Sequence, residues 1–210
     1  MIGKTSRDPY GLWKIPIDSL KQAGVITDFI KKVSYRKTKI FPGIALIPVD
    51  QRGKNQIYVL PGINQYFRPE DVKAAESLFV KGEDKIMVLT LELPFKTALF
   101  CLRIARKNNL KVILDPGGIT PEMNKIIKEE IFFLKPNEHE AQIITGIKVT
   151  DFRSAQKAAA KIRAQGVKNI LITHGGRGAY LFTPELKLHL SIPRVKKPTN
   201  YCDCLLYTSP

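Results

Sequence analysis

Ile131-Phe-Phe-Leu-Lys-Pro-Asn-Glu-His-Glu-Ala141 decides the fold of this chain. Its apolar run is short enough for a strand, Pro136 interrupts the ladder, and Asn137 starts a helix whose first residues are acidic, as the positive end of a helix dipole favours. The same alternation repeats on either side. Strands are expected at Lys85 to Glu92, Lys111 to Asp115, Ile131 to Lys135 and Lys168 to Thr173, with helices near 70 to 80, at Pro94 to Lys107 and Pro121 to Glu129, from Asn137, and at Ser154 to Ala164. Pro69, Pro94 and Pro121 stand where a first-turn proline costs no hydrogen bond. Short apolar strands separated by helices predict an α/β protein with a mostly parallel central sheet and helices on both faces.

Residues up to about Asn64 lack this alternation. There, Gly43 to Val49 and Gln56 to Leu60 flank the polar, glycine-bearing segment Asp50-Gln-Arg-Gly-Lys-Asn55, which predicts a β-hairpin and a small β lid. A short helix at Ile17 to Ala23 and a strand within Phe29 to Arg36 complete this part. The expected division is 1–64 as a lid-containing N-terminal part, 65–195 as the α/β nucleotide- and substrate-binding core, and 196–210 as a non-native tail.

Length and composition bound the function classes. A chain of 210 residues with 44% apolar content can build one ordinary core, and it holds neither a span-length apolar run nor a signal-peptide pattern. A cytoplasmic protein with no membrane partner is expected. Three cysteines at 101, 202 and 204 make no disulfide framework and have no zinc-site spacing. The 34 Lys and Arg against 19 Asp and Glu leave a charge of +15, which raises the question of polyanionic partners. Its densest cluster, Lys31, Lys32, Arg36, Lys37 and Lys39, carries no nucleic-acid-binding motif, so a solvated basic surface is favoured over a nucleic-acid partner.

Glu92, Asp115, Asn137 and Thr173 each close a different apolar strand just before a turn or helix. Parallel strands would bring all four to one sheet edge, where α/β proteins bind ligands. Thr173-His-Gly-Gly-Arg-Gly178 has glycine at three of its last four positions. Such residues can turn successive N–H groups toward an anion, and they serve a tight hairpin equally well. Asn137 and Glu140 have capping-box spacing, which accounts for them structurally, and oxygen ligands at such an edge also suit hydrated magnesium.

Pro136-Asn137-Glu138-His139-Glu140-Ala141 followed by Thr145-Gly146 resembles the P-N-x-x-E-A…T-G segment of the ribokinase-like (phosphofructokinase B type) carbohydrate kinases. The Gly43 hairpin, Leu91-Glu-Leu-Pro94, Ile113-Leu-Asp-Pro116 and the 173–178 loop follow in the family's order. The resemblance covers roughly Met1 to Val195 and implies a three-layer ribokinase-like fold, truncated at both ends. It implies transfer of the γ-phosphoryl group of ATP to a sugar hydroxyl, with ribokinase favoured over fructokinase, nucleoside or heptose-phosphate kinases. Asn137, Thr173, His174, Gly175, Gly176, Arg177 and Gly178 would bind nucleotide, Glu92 the sugar, and Glu140 the Mg2+ ion. Family lids suggest a homodimer through the β lid. A basic nucleic-acid-binding module on the same fold is the non-enzymatic alternative.

The sequence also departs from the family. Neither the glycine-rich G-G-x-G-x-N sugar motif nor the D-T-x-G-A-G-D segment occurs in the 210 residues, so the general-base aspartate is expected outside this chain and the chain is expected to be an inactive fragment. Pro42 stands where threonine is commoner. The tail from Lys196, with two of the three cysteines and no periodicity, is expected to be foreign to the natural protein.

Overall fold

The computed structural model describes residues 1–50, 55–80, 85–117 and 123–192, with Asn124 described by its backbone alone. Residues 51–54 of the lid connection, the helix-starting Pro121, the end of the segment Ser191 to Val195 and the 196–210 tail lie outside the described residues.

The alternation begins earlier than hydropathy suggests. Strand β1 (Gly3–Arg7), helix α1 (Lys14–Gln22) and strand β2 (Ile30–Ser34) form a parallel unit, with Gly3 opposite Ile30 and Arg7 opposite Ser34. β1 escapes an apolar reading because its buried residues are Thr5 and Ser6. The strand expected to run to Arg36 stops at Ser34, where a single helical turn α2 (Tyr35–Thr38) closes on Lys39 at φ 57°.

The hairpin is present: β3 (Ile44–Leu46) pairs antiparallel with β4 (Tyr58–Leu60), and Val49 bridges Asn55 beyond it. Its residues are almost all exposed. The chain returns through Gly62, whose φ of 52° and contact with the Phe41 and Pro42 carbonyls leave no space for a Cβ.

The remaining elements build one six-stranded sheet. Helix α3 (Pro69–Lys73) and a separate 3-10 turn at Glu76–Leu78 stand where one helix near 70 to 80 was expected. Strand β5 (Ile86–Thr90) leads to α4 (Phe95–Lys107) and β6 (Lys111–Asp115), and α5 (Met123–Ile127) to β7 (Phe133–Leu134). Helices α6 (Glu138–Thr145) and α7 (Phe152–Arg163) connect to β8 (Asn169–Thr173), and β9 (Ala179–Phe182) and β10 (Lys187–Leu190) finish the sheet. The strand order is β10-β9-β8-β7-β6-β5, with β5 to β8 mutually parallel and β9 and β10 antiparallel.

On one face of this sheet Val112, Leu114, Leu134, Ile170 and Ile172, each no more than 1% exposed, pack with α4, α6 and α7 in one apolar cluster. The faces are not covered equally. The alternating residues Ile113, Phe133 and Leu171 are half-buried, and Val88 on the edge strand β5 is 70% exposed. Cys101 is buried in α4, and that burial pushes its thiol up to about 11.

Candidate active site at the carboxyl ends of the parallel strands

The register of the sheet places the four strand-ending residues on one edge. Thr90 pairs with Asp115, Ile113 with Phe133, and Asn137 forms a parallel bridge to Thr173. Backbone bonds stitch the strands up to that edge: Lys135 N–H donates to Leu114 O at 2.9 Å and Thr173 N–H to Pro136 O at 3.0 Å. The ridge from the end of β5 to the end of β8 crosses three inter-strand spacings, about 14 Å in all.

Glu92, exposed just past β5, and Asp115 converge on Gly117. A Cβ there would lie 3.5 Å from Asp115 Oδ1 and 3.9 Å from Glu92 Oε1. Gly117 N–H donates to Asp115 Oδ1 at 3.1 Å, and the other Asp115 oxygen meets Lys135 Nζ at 2.9 Å. Asp115 is one of the four strand-ending residues of the sequence, whereas its partner Lys135 is not. Both residues end their own apolar runs, and the pairing of β6 with β7 is what brings them face to face.

Asn137 and Glu140 form the reciprocal cap that their spacing predicts. Glu140 N–H donates to Asn137 Oδ1, and Asn137 N–H to Glu140 Oε2, both at 2.8 Å. The cap uses one oxygen of each residue. It leaves Asn137 Nδ2 as a donor and Glu140 Oε1 as an acceptor for a ligand. Burial, reinforced by the charge of Asp115, raises the Glu140 pKa above its ordinary 4.5, while the Asn137 N–H, Lys135 and His139 pull it down less. Among the described residues no group of three or more His, Cys, Asp and Glu side chains could hold a metal ion. The donor set fits a magnesium ion held by one carboxylate, water and phosphate oxygens rather than a protein cage.

The 173–178 loop joins β8 to the antiparallel β9, so the hairpin reading is correct, and its geometry also suits an anion. A 3-10 turn spans Gly175–Arg177, with His174 N–H donating to Gly178 O, Arg177 N–H to His174 O and Gly178 N–H to Gly175 O. Among the described residues the N–H groups of Gly175 and Gly176 take no backbone or side-chain acceptor, which leaves two adjacent donors that an anion could meet. α6 adjoins the loop, since a Cβ on Gly175 would come within 4.0 Å of Glu138 Oε1. The Arg177 guanidinium donates to Thr150 O, at the connection into α7, and so acts as a tether in this structure. His174 Nδ1 lies 3.2 Å from the Tyr180 hydroxyl. The structure therefore brings Asn137, Glu140, Thr173 and the glycine loop together at one end of the ridge and sets Glu92 at the other.

A family model described as pfkB family carbohydrate kinase matches residues 15–200. A ribokinase of Staphylococcus aureus is 31% identical over 179 residues, covering 85% of this chain and 57% of that protein. A deoxyribokinase of Salmonella typhi is 29% identical over 180 residues, covering 85% of this chain and 56% of its own length. The chain thus spans a little over half the length of these relatives. Among solved structures, ribokinase from Thermotoga maritima superposes with a TM-score of 0.73 at 28% identity, covering 93% of this chain and 60% of that one. Arabidopsis thaliana ribokinase complexed with ribose and ATP gives 0.75 at 26% identity, covering 93% and 62%.

Proposed function

The chain belongs to the pfkB family of carbohydrate kinases, and on that premise we propose that its site takes ATP at the β7–β8 end of the ridge and a sugar at the β5 end, for transfer of the γ-phosphoryl group to a sugar hydroxyl. The observation that carries this is the ridge itself. It places an exposed carboxylate, an ion pair, a capped helix start and two glycine N–H groups without an acceptor among the described residues in a line about 14 Å long, enough for a triphosphate ending against a small polyol.

Each residue has a chemical task in this reading. Glu92 accepts hydrogen bonds from two sugar hydroxyls, and a site built for that rejects analogues lacking them. Asn137 Nδ2 donates to phosphate, Gly175 and Gly176 give backbone N–H groups, and Thr173 adds a hydroxyl. His174, Arg177 and Gly178 hold the loop that carries those donors. Glu140 orients water around the metal, with its own orientation fixed by the cap. Mg2+, when bound, would supply positive charge against the phosphates. Ribose is the favoured acceptor, because the relatives and solved structures reported above are named ribokinase or deoxyribokinase.

The general base is not among the residues assigned here, so binding tests the reading more directly than turnover. Titration calorimetry with ribose and with Mg-ATP should show Glu92→Gln losing sugar affinity with nucleotide affinity intact, and Asn137→Ala the reverse. Equal effects of both substitutions on both ligands would defeat the division of the ridge. A cytoplasmic setting and a homodimer through the lid belong to the same proposal. The lid supports the dimer with Leu46, Tyr58, Val59 and Leu60, each at least half exposed.

A further inference from the structure

We propose that His189 is a positioning residue that braces the glycine-rich loop 173–178 from the edge strand β10. The inference rests on the assignment of that loop to the nucleotide. Three contacts carry it. His189 Nε2 lies 2.9 Å from Arg177 O, and because a carbonyl can only accept, this ring nitrogen is the protonated donor. The His189 ring packs on Tyr180, its cross-strand partner, with centroids 4.9 Å apart, and Tyr180 is 2% exposed with its hydroxyl directed to His174. Gly178 completes the set: at φ 92° it lets the Leu190 carbonyl approach so closely that any Cβ would collide with it.

The loop is therefore held at its middle by His189 and by the Arg177 tether to Thr150, and at its end by β10. The two residues left outside these restraints, Gly175 and Gly176, are those whose N–H groups have no acceptor among the described residues. A loop fixed in this way presents both donors without first having to be ordered, which strengthens anion binding by preorganisation. His189 itself is exposed and meets the loop at the Arg177 carbonyl rather than at the Gly175 and Gly176 N–H groups, so it acts through the loop.

The test uses the 210-residue chain with His189→Phe, which keeps a ring against Tyr180 and removes the donor, and His189→Gln, which restores a donor. Amide exchange of Arg177 and Gly178 in the ligand-free chain should quicken in H189F and stay near wild type in H189Q. Mg-ATP affinity should fall about two- to tenfold in H189F, the range one neutral hydrogen bond commands, and recover to within about twofold in H189Q. Ribose affinity should stay unchanged in both. H189Q behaving like H189F, or exchange in H189F matching wild type, would overturn the brace. Faster exchange in H189F together with a wild-type chain that takes up no Mg-ATP would support the brace and count against the kinase reading.

Discussion

Among the described residues of 1–64 the buried side chains are Thr5, Ser6, Asp8 and Thr27 alongside Ile17, Ile30, Pro42 and Ile63. From Phe67 to Phe182 a continuous apolar cluster fills the space between sheet and helices instead. The two regions meet at a carboxylate. Asp71, on α3 with its side chain 3% exposed, pairs with Lys4 of β1 at 2.8 Å and Lys31 of β2 at 2.6 Å, and also accepts from Arg68 N–H. Asp8 plays a similar part within the first region, where its oxygens accept from the N–H groups of Tyr10, Leu12 and Trp13. The difference teaches where each region is vulnerable: the sheet to lost volume, the N-terminal unit to lost charge.

The largest expected effect is on the sheet. Leu114→Ala removes a side chain that is fully buried in β6 and should cost about 2–5 kcal/mol, read as a fall in the global melting temperature. A cost under about 1 kcal/mol would mean that the central sheet is loosely packed and would erase the contrast.

Asp71→Ala should act locally. It leaves Lys4, whose side chain is 10% exposed, without its counter-charge, while Lys31, 55% exposed, can return to water. The loss should be about 2–3 kcal/mol, below the full cost of breaking a buried pair because of that exposure. Limited proteolysis should then open the β1–α1–β2 unit while amide protection in β6 and β8 persists. Acid should mimic this substitution. Burial opposes ionisation of Asp71, but Lys31, Lys4 and the Arg68 N–H outweigh it and hold its pKa below the ordinary 3.8. The folded state therefore binds that proton less tightly than the unfolded chain. The pair's contribution is complete above about 3.8 and is lost as pH falls through the lowered folded value.

Glu140 carries the opposite sign. Its raised pKa means that the folded state holds the proton more tightly, so stability declines as pH rises from 4.5 through the folded value, and the ionised group remains a cost at neutral pH. Glu140→Gln keeps an oxygen to accept from Asn137 N–H, so it should flatten that slope and leave the melting temperature at pH 7 unchanged or slightly higher. It should still weaken Mg-dependent ATP binding. Unchanged ATP affinity would return Glu140 to a capping role alone. The smallest effect is expected at Ser6, whose Oγ is buried without a hydrogen-bond partner among the described residues. Ser6→Ala should raise stability by about 1 kcal/mol or less.

The same contrast explains what could be read from the sequence. Strands β6 and β8 are legible from their short apolar runs, and the helix start at Asn137 from Pro136 and the Asn137–Glu140 capping pair that agree there. The hairpin was legible from its flanking runs. β1 was not, because Gly3-Lys-Thr-Ser-Arg7 buries hydroxyls rather than hydrocarbons and no hydropathy pattern marks it. In the site, the strand-ending residues followed from parallel topology alone. The Asp115–Lys135 pair and the His189 contact needed register, which fixes who faces whom only once strands are paired. The Arg177 tether to Thr150 spans 27 residues and had no local signal.

The central claim is that the carboxyl edge of β5 to β8 is a nucleotide site, and thermal unfolding of this chain with and without Mg-ATP tests it most directly. At a nucleotide concentration one hundredfold above Kd, binding to the native state should add about 2.7 kcal/mol of stability, and Asn137→Ala should abolish most of that gain. No stabilisation by Mg-ATP in wild type, together with tight, salt-sensitive binding of RNA to the basic surface, would contradict the claim and favour a nucleic-acid-binding module on a kinase-derived fold.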